Sequence, residues 1–524
     1  MCGITALVSN QAQTERAETI QKMTDALQHR GPDDEGFYHD DQVSLGQRRL
    51  SINDVAGGHQ PLFDDTGNLV MVANGEIYNS PQLRADLEAE GYAFKTHTDV
   101  EVILPLYQKY GADCVKHLRG MFAFAIWNKQ TQAMFFARDH MGQKPIFFSM
   151  EESTLRIASE VKSLLKAQDA KPEIDMTCLW HYISMRFVPD DLSFFKNVHK
   201  LEAGHWALWE KGEVKIERYW DIDFKEKQTA SFAAIEEQLN DVLLDTVKSH
   251  LLSDVPVGAF LSGGIDSSTV SAMMAQLGEG ALPVFSIGVE EAGFNELPWA
   301  RKVVDQYGMD GHEKVVSADL IHLIPKMIHH MDEPSDPFGV GVYLVSEMAR
   351  EHVKVVLTGD GGDEGFAGYD RFAGQRLAEY YGMMPKWLRQ QVFGRMIKLV
   401  PDTFGYKSAA QKIKWLHDMS FYKSGDRYVQ SLTFLRFTHE AKLDLFTDEA
   451  LAQIDDKNSA DKVLRHFDAE NTDDLVDRML YSDMMTRLPD HLLMISDRMT
   501  MAHSLESRAP FVDHKLLEFA ATIP

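Results

Sequence analysis

The chain has 524 residues, of which 44% are hydrophobic and 25% are charged, and its formal net charge is −26. The length exceeds that of a single hydrophobic core, so we expect two large domains of ordinary globular composition. The acidic balance argues against a surface that binds nucleic acid or docks on anionic lipid.

The three cysteines, Cys2, Cys114 and Cys178, are too few and too scattered for a disulfide framework or a zinc site. No apolar run approaches the ~20 residues of a membrane span, and the first ten residues lack the basic and apolar segments of a signal peptide. We therefore expect a cytoplasmic protein with neither a membrane nor a nucleic-acid partner.

In chain order, the first unusual feature is a cysteine directly behind Met1. Cys is small enough for Met1 to be removed, which would leave Cys2 with a free α-amino group. Such an amine titrates near pH ~7.7–8.0 and can act as the base for the thiol of the same residue. A small buried cysteine that opens a first strand is the alternative that position alone leaves open.

Strand-like and helical patterns alternate over the next 140 residues. A turn cluster at 29–34 precedes a β-rich run at 69–73, which ends in Asn74-Gly75-Glu76. Helical patterns follow at 81–90 and 99–110, and strand-like runs at 121–127 and 134–136. Strands in two groups around helices indicate an α+β layered domain. Taken one at a time, these residues have ordinary structural interpretations: Asn-Gly is a common hairpin turn, and Arg49 and Asp99 could be surface charges.

Taken together, Cys2, Arg49, Asn74-Gly75-Glu76 and His97-Thr98-Asp99 resemble a class II glutamine amidotransferase domain. That family consists of N-terminal-nucleophile hydrolases with a four-layer αββα sandwich. The resemblance implies that Cys2 attacks the side-chain amide of glutamine and releases ammonia, with Asn74 and Gly75 as the oxyanion hole. The glutamine site that it implies comprises Arg49, Leu50, Ser51, Ile52, Asn74, Gly75, Glu76 and Asp99, in which Arg49 holds the α-carboxylate and Glu76 and Asp99 hold the α-ammonium.

We expect this first domain to span residues 1–208, followed by a linker at 209–230 and a second domain at 231–524. The hairpin pattern at 206–215 and the polar stretch at 225–230 mark the change between the two domains. A helical pattern at 231–250 then leads into the second domain.

Residues 256–268, with the sequence PVGAFLSGGIDSS, predict a strand, a tight turn and a helix. Glycines let the backbone approach a ligand, hydroxyls add donors, and a helix N-terminus favours an anion, so this turn predicts a phosphate cradle. Asp266 stands where the usual P-loop has its Lys, which implies a bridging Mg²⁺. An ordinary strand-to-helix turn is the alternative.

The run Ser-Gly-Gly-Ile-Asp-Ser-Ser resembles the pyrophosphate loop of ATP pyrophosphatases, which adenylate a substrate by splitting ATP between its α and β phosphates. The implied ATP site consists of Leu261, Ser262, Gly263, Gly264, Asp266, Ser267, Ser268, Ile287, Thr358 and Gly359.

Strand patterns at 284–289, 313–316 and 353–357, separated by helical patterns, predict a Rossmann-like parallel sheet. The last of these strands ends in Thr-Gly-Asp-Gly-Gly-Asp-Glu at 358–364. Ligands bind beyond the carboxyl ends of strands in open α/β sheets, so we predict Asp266 and Asp363 as Mg²⁺ ligands. A helix cap is the alternative for Asp363.

From residue 369 onward the chain reads mainly helical. Arg498 and Asp360 are also predicted catalytic residues. In the family that this part of the chain resembles, a basic side chain at the place of Arg498 approaches the ATP phosphates. A surface charge is the alternative for Arg498. The family also continues for several helices beyond the position of Pro524, and we expect this chain to be incomplete at its C-terminus.

Together, the halves resemble the glutamine-hydrolysing asparagine synthetase family from end to end. The resemblance implies that ATP and aspartate give β-aspartyl-AMP and pyrophosphate, and that ammonia crosses a dry passage and displaces AMP to give asparagine. Dimers are familiar in the family, so a homodimer is a further expectation. The chain departs from the family at two positions: it has Asp360 where many members have Glu, and Arg498 where some have Lys. These departures leave a second possibility for the acceptor, namely a carboxylate on a peptide or on a surface-polysaccharide sugar. A glutamine sensor or simple glutaminase is an alternative of another class, against which the intact phosphate loop argues.

Overall fold

The computed structural model describes residues 2–168, 171–278, 280–290, 293, 295–316, 321–334, 336, 339–399, 409–432 and 437–524. Met1, whose removal the sequence predicts, lies outside the described residues. Among the described helices, none is both long and apolar enough to cross a membrane.

Two six-stranded antiparallel sheets form the first half of the chain. The strands are β1 Cys2–Val8, β2 Asp34–His39, β3 Val43–Arg49, β4 Leu62–Phe63, β5 Leu69–Ile77, β6 Gly120–Asn128, β7 Ala133–Arg138, β8 Phe147–Glu151, β9 Thr154–Ala158, β10 Val198–Lys200, β11 His205–Glu210 and β12 Glu213–Arg218. The first sheet has the order β10-β8-β9-β1-β3-β2, and the second has the order β12-β11-β7-β6-β5-β4. The nucleophile candidate Cys2 therefore begins a strand with neighbours on both sides.

Alternate residues of the strands fill the space between the two sheets, as the period of two in a strand requires. This inner layer includes Ile4, Ala6, Val8, Ala123, Ala125 and Trp127. The opposite face of the second sheet packs on the helices Ser80–Ala89 and Ile103–Tyr110. The opposite face of the first sheet packs on the helix Gln13–Asp25, whose Ile20 and Met23 are fully buried. The predicted αββα layering is confirmed.

Strand β12 places the end of the first half later than the sequence predicts. It pairs with β11, which pairs in turn with β7, so residues 209–218 belong to the second sheet rather than to a linker. We propose that the first domain extends through Arg218 and that the linker runs from there to the helix Phe232–His250.

A five-stranded parallel sheet lies at the centre of the second half. Its strands are β13 Val257–Phe260, β14 Pro283–Val289, β15 Asp310–Val316, β16 Val355–Leu357 and β17 Glu506–Arg508. Their order is β15-β14-β13-β16-β17, and every pair is parallel. The predicted Rossmann-like sheet is confirmed, but β17 was not foreseen because Glu-Ser-Arg is a polar run without a strand pattern.

Helices cover this sheet and form most of the remaining chain. In the first half, two short helices follow β9, namely Val161–Leu165 and Met176–Met185. The helices of the second half are Phe232–His250, Ile265–Leu277, Leu297–Tyr307, Ile324–Met331, Gly339–Ala349, Gly362–Phe366, Asp370–Gly382, Lys386–Leu388, Gly394–Ile397, Ala409–Met419, Ser424–Leu432, His439–Leu445, Asp448–Leu451, Asp461–Phe467, Leu475–Met485, Leu493–Met501 and His514–Ala521. Shorter 3₁₀ segments are Asp99–Val102, Gly111–His117, Ile321–Leu323 and Pro510–Val512, and π-helical turns are Arg389–Phe393 and Leu488–Leu492. The predicted helix at 99–110 is therefore a 3₁₀ turn that continues as the α-helix Ile103–Tyr110.

The inner layer of the first half offers a direct stability test. Phe136 is fully buried between the two sheets, so Phe136→Ala should lower the free energy of unfolding of this half by about 3–5 kcal/mol. Phe232 is 84% exposed, and Phe232→Ala should change stability by no more than about 0.5 kcal/mol. Urea unfolding followed by tryptophan fluorescence measures both, and equal midpoints for the two variants would contradict the packing described here.

Candidate functional sites

The side chain of Asn74 lies against the first residue of β1. Its Oδ1 accepts a hydrogen bond from the backbone N–H of Cys2 at 2.8 Å. Its Nδ2 is buried and has no hydrogen-bond partner among the described residues. A buried N–H₂ donor without a partner costs free energy unless a ligand supplies an acceptor. Asn74 therefore holds Cys2 with one end and offers a free donor with the other, as an oxyanion hole requires.

Gly75 lies inside β5, so the Asn-Gly pair is not a hairpin turn in this chain. A Cβ at Gly75 would stand 2.2 Å from the carbonyl oxygen of Met121 on the neighbouring strand β6. Only glycine fits this close approach, and the approach fixes the backbone beside Asn74.

Burial dominates the electrostatics of Cys2, a residue that is 7% exposed. Burial raises the pKa of the Cys2 thiol, and the positive charge of Arg49 nearby acts in the opposite direction. Residues Cys2 and Arg49 are directly paired between β1 and β3. The guanidinium Nη2 of Arg49 donates to the carbonyl oxygens of Asn53 and Asp54 at 3.0 and 2.8 Å. Arg49 is thus a buried, anchored cation next to the nucleophile and not a solvated surface charge.

The residues that follow Arg49 turn towards the second half. The backbone N–H of Ser51 donates to Asp33 Oδ2 at 2.9 Å. Leu50 and Ile52 are buried in an apolar cluster, the interface cluster, that contains residues of both halves. Its members are Leu50, Ile52, Tyr78, Met121, Val355 and Met501, with Val255 and Val257 packed against them.

Two predicted carboxylates, Glu76 and Asp99, lie buried close together. Burial, the negative charge of Asp99 and that of Glu506 raise the pKa of Glu76 well above its usual range. Burial also raises the pKa of Asp99, although Asp99 Oδ2 accepts the backbone N–H of Ile77 at 2.5 Å. Arg508 of β17 approaches Glu76 Oε2 to 3.5 Å. A pair of buried carboxylates with raised pKa values is suited to receive a ligand cation, such as an α-ammonium group.

Arg30 was not identified as a site residue from the sequence, yet it joins the nucleophile to the second half. Its Nε donates to the carbonyl oxygen of Cys2 at 3.1 Å. Its two Nη atoms donate to the carboxylate of Asp497 at 2.8 and 3.1 Å, and Nη1 also donates to Glu160 at 2.8 Å. The side chain is fully buried. Its place in a turn cluster, where charges are usually solvated, gave no signal of this role.

Arg498 lies in the same buried cluster rather than in the ATP site. Its Nη1 is 2.7 Å from Glu160 Oε1 and 3.8 Å from Asp332 Oδ2. None of its three nitrogens has a hydrogen bond of good geometry among the described residues, so its contact with Glu160 is an ion pair. Burial opposes ionisation of Glu160, but Lys162, His29 and Arg498 hold its pKa well below the usual range. Arg498 does not line the cleft described next.

A cleft of about 460 Å³ opens at the carboxyl ends of β13, β14 and β16. Eight of the ten residues predicted for ATP line it, namely Leu261, Ser262, Gly264, Asp266, Ser267, Ile287, Thr358 and Gly359. Gly263 and Ser268 are not on its wall. Gly263 has a φ of 85°, and a Cβ there would stand 2.7 Å from the backbone nitrogen of Ala300, so it shapes the turn. The backbone N–H of Ser268 donates within the helix to Gly264.

Asp266 lines this cleft, and the short helix that carries Asp363 lies against it, since a Cβ at Gly362 would stand 2.4 Å from Cγ of Asp266. Burial and the negative charge of Asp363 raise the pKa of Asp266 to about 6. Asp363 lies inside the helix Gly362–Phe366, where Gly361 occupies the N-cap position, so the helix-cap alternative is not supported. Mg²⁺ is commonly held by one or two carboxylates together with substrate phosphates, and this pair fits that requirement. Among the described residues, no cluster of three or more metal-binding side chains occurs.

Asp360 lines the cleft, but its carboxylate is already engaged. Oδ2 accepts hydrogen bonds from Thr358 Oγ1 at 2.9 Å and from Ser496 Oγ at 2.5 Å. Burial nevertheless raises the pKa of Asp360. The carboxylate therefore ties the helix Leu493–Met501 to the end of β16, which is a positioning role.

Comparisons with known proteins match each half of the chain to a family. A family model described as glutamine amidotransferase domain matches residues 1–220, and one described as asparagine synthase matches residues 238–524. The chain is 34% identical over 530 residues to asparagine synthetase [glutamine-hydrolyzing] 1 of Bacillus subtilis, covering all of this chain and 81% of that protein. It is 37% identical over 432 residues to a putative asparagine synthetase of Methanocaldococcus jannaschii, covering 77% and 82%.

A third relative bears a different name. The amidase chry2 of Gibberella zeae is 29% identical over 568 residues, covering all of this chain and 83% of that protein. The names of the relatives therefore differ, while two family models together match residues 1–220 and 238–524 of this chain. On this evidence the chain belongs to the asparagine synthase family, with an amino-terminal glutamine amidotransferase domain and a carboxy-terminal synthetase domain.

Proposed function

We propose that the chain is a cytoplasmic ligase that hydrolyses glutamine at Cys2 and uses the ammonia to amidate a carboxylic acid activated by ATP, with aspartate as the acceptor and asparagine as the product. The observation that carries the proposal is that one chain has both features: the free Nδ2 of Asn74 beside Cys2, and a cleft at the end of β13 that is lined by the residues predicted to bind ATP. A glutamine sensor would need only the Asn74–Cys2 site.

At the first site, the α-amino group of Cys2 takes the proton of the thiol, and the thiolate bonds to the amide carbon of glutamine. The C–N bond then breaks, the α-amino group returns the proton to the departing nitrogen, and ammonia and a thioester result. The negative charge that develops on the amide oxygen faces the Nδ2 donor of Asn74. Arg49 provides a cation for the α-carboxylate. Glu76 and Asp99 are buried carboxyl groups with raised pKa values, and an α-ammonium group beside them would favour their ionised forms. Water then hydrolyses the thioester to glutamate.

At the second site, a carboxylate oxygen of the acceptor bonds to the α-phosphorus of ATP, and pyrophosphate leaves as the bond to the bridging oxygen breaks. The phosphate groups are placed at the turn before Ile265–Leu277, where Ser262 and Ser267 offer hydroxyls and the helix begins. Asp266 and Asp363 would hold Mg²⁺, which supplies positive charge against the phosphates. Ammonia then bonds to the acyl carbon, AMP leaves, and one proton is lost from nitrogen.

The interface cluster supports transfer of ammonia between the sites. Leu50 and Ile52 follow Arg49 on one side of the cluster, and Val355 begins β16, which leads to Thr358 and the cleft, on the other. An apolar connection favours neutral NH₃ over ammonium, because a charge in such surroundings has a large desolvation cost. A homodimer stays a prediction.

A second candidate is an amidotransferase that acts on a larger carboxylic acid. A second cavity of about 500 Å³, between the helix Met176–Met185 of the first half and helices of the second half, favours it, since aspartate alone needs no space of that size.

Replacing Cys2 tests the separation of the two sites. Cys2→Ala removes the thiol but leaves the cleft untouched, so glutamine-dependent amide synthesis should fall to background while added ammonium salt restores it. Cys114→Ala removes another buried thiol of the same domain and is the matched control, for which the two nitrogen sources should stay equally effective. The measurement is the amount of product amide formed with glutamine and with ammonium. If Cys2→Ala lowered amide formation equally with both nitrogen sources, Cys2 would not be the nucleophile of glutamine hydrolysis.

The free donor of Asn74 predicts a separate effect on the first site. Asn74→Asp keeps an oxygen for the N–H of Cys2 but removes the Nδ2 donor, so kcat for glutamine hydrolysis should fall about 10²–10³-fold. Asn128→Asp, at the end of β6, likewise keeps the oxygen that accepts backbone N–H groups and should leave kcat unchanged. Glutamate release measures both, and an unaltered rate in Asn74→Asp shows that Nδ2 does not face the oxyanion.

Two glycines at the cleft give a matched test of the second site. A Cβ at Gly362 would stand 2.4 Å from Cγ of Asp266, so Gly362→Ala should displace that carboxylate and abolish pyrophosphate release. Gly341 also lines the cleft, but a Cβ there meets nothing within 4 Å, so Gly341→Ala should retain activity. Glutamine hydrolysis should persist in both variants. Full pyrophosphate release by Gly362→Ala would mean that Asp266 is not required.

A further inference from the structure

A second large cavity of the structure is lined by none of the residues of the two sites discussed so far. It has a volume of about 500 Å³ and lies between the helix Met176–Met185 of the first half and helices of the second half, among them Ser424–Leu432 and Asp461–Phe467. We call it the helical cavity. A volume of this size is in the range of cavities that bind small organic molecules.

Its described wall carries more positive than negative charge, in a chain whose net charge is −26. The charged lining residues are Arg487, Lys442, Lys457 and Glu440. The apolar part of the wall includes Phe187, Val429 and Val463. A ligand that suits both parts has an anionic group and an uncharged body.

Arg487 offers an unused donor at this wall. Its Nη1 is buried and has no hydrogen-bond partner among the described residues. Its guanidinium carbon lies 4.9 Å from the centre of the Tyr369 ring, which fixes the orientation of the guanidinium. A guanidinium held by an aromatic ring with a free N–H edge is a common binding group for carboxylates.

Lys442 supplies a second cation that has no carboxylate partner among the described residues. Its Nζ donates to the carbonyl oxygen of Trp180 and to Ser459 Oγ, both at 3.0 Å. These neutral partners leave its charge unbalanced, and burial lowers the pKa of Lys442 to about 8. An anionic ligand would supply the missing negative charge.

The helical cavity and the ATP cleft share two segments of chain. The segment 358–369 places Thr358, Gly359 and Asp360 on the cleft and Tyr369 against Arg487. The segment 486–496 places Thr486 and Arg487 on the helical cavity and Ser496 on the cleft. No lining residue belongs to both spaces, but these two short segments connect their walls, and an elongated molecule that occupies both would follow them.

The second shared segment sets the length of such a molecule. Arg487 and Ser496 are nine residues apart along mostly helical chain, which corresponds to about 13 Å at about 1.5 Å per residue. An extended peptide covers that distance in about four residues. The two carboxylates of aspartate are separated by only two carbon atoms and cannot span it.

We propose that the helical cavity binds the distal anionic group of an elongated acceptor, with Arg487 as its partner, while the carboxylate to be amidated lies in the ATP cleft. This inference rests on the ATP-dependent amidation proposed above and develops its second candidate, a larger carboxylic acid as the acceptor. It names the substrate class as an acid with two anionic groups about 13 Å apart, such as a short acidic peptide. Aspartate would use the cleft alone and would be a poorer acceptor than such an acid.

The test compares aspartate with the N-acetylated pentapeptide amide Asp-Ala-Ala-Ala-Asp, whose two acids are four residues apart, and with its two single-acid analogues, in which one Asp is Asn. The two-acid peptide should release pyrophosphate from ATP at a lower KM than aspartate does. Arg487→Met should raise that KM about 10- to 100-fold, the usual range for loss of a charged hydrogen bond, and leave the reaction of aspartate unchanged. Arg487→Lys should recover part of the loss.

The matched control is Arg376→Met, because Arg376 is an arginine of the same domain whose partner, Asp474, is on the surface. It should not change the KM of any acceptor. Circular dichroism and glutamine hydrolysis at Cys2 establish that each variant is folded. An equal effect of Arg487→Met and Arg376→Met would overturn the inference.

The remaining outcomes separate this inference from the proposed function. Asparagine formation from aspartate with no reaction of the peptide would overturn the inference and leave the function standing. If no acid releases pyrophosphate, the proposed function fails, and calorimetric titration of the peptide without ATP still tests the cavity. Binding that Arg487→Met abolishes would support the site, and no binding, or equal binding by the two proteins, would refute it.

Discussion

The buried ion cluster of Arg30, Glu160, Asp497 and Arg498 is the constraint on which the arrangement of the two halves depends. Its positive and negative side chains are almost completely excluded from solvent, so each charge requires the others. Removing one partner from such a cluster generally costs about 3–5 kcal/mol, because an unpaired charge stays buried. Arg30 also donates to the carbonyl oxygen of Cys2. The same side chain therefore helps to dock the two halves and to position the nucleophile.

A second series of contacts runs from this cluster to the ATP cleft. Asp497 and Arg498 lie on the helix Leu493–Met501, whose Ser496 donates to Asp360 at the end of β16. Asp360, which the sequence suggested as catalytic, thereby connects the helix Leu493–Met501 to the end of β16. Preorganised supports of this kind matter for catalysis because small displacements of bound groups have large effects on rate.

Much of this fold could be predicted from the sequence, for identifiable physical reasons. The strands β5, β6 and β14 have strong apolar patterns, and the glycine-rich turn at 262–264 has few conformational alternatives. Arg30 and β17 were missed, and the buried ion-pair partner of Arg498 was not foreseen, because these features depend on partners that are distant in the sequence. A buried arginine looks the same in a sequence as an exposed one, and only its carboxylate partners distinguish them.

Strand β17 has a consequence for how such proteins can evolve. Its Arg508 lies against Glu76 of the glutamine site and also donates to the carbonyl oxygens of His250 and Leu252 in the other half. The pocket of the first domain is thus completed by a strand that belongs to the sheet of the second. A gene fusion that joined this amidotransferase domain to an unrelated synthetase would leave Glu76 and Asp99 without their nearby cation. Recombination between members of the family is therefore expected to preserve the two domains as one inherited unit.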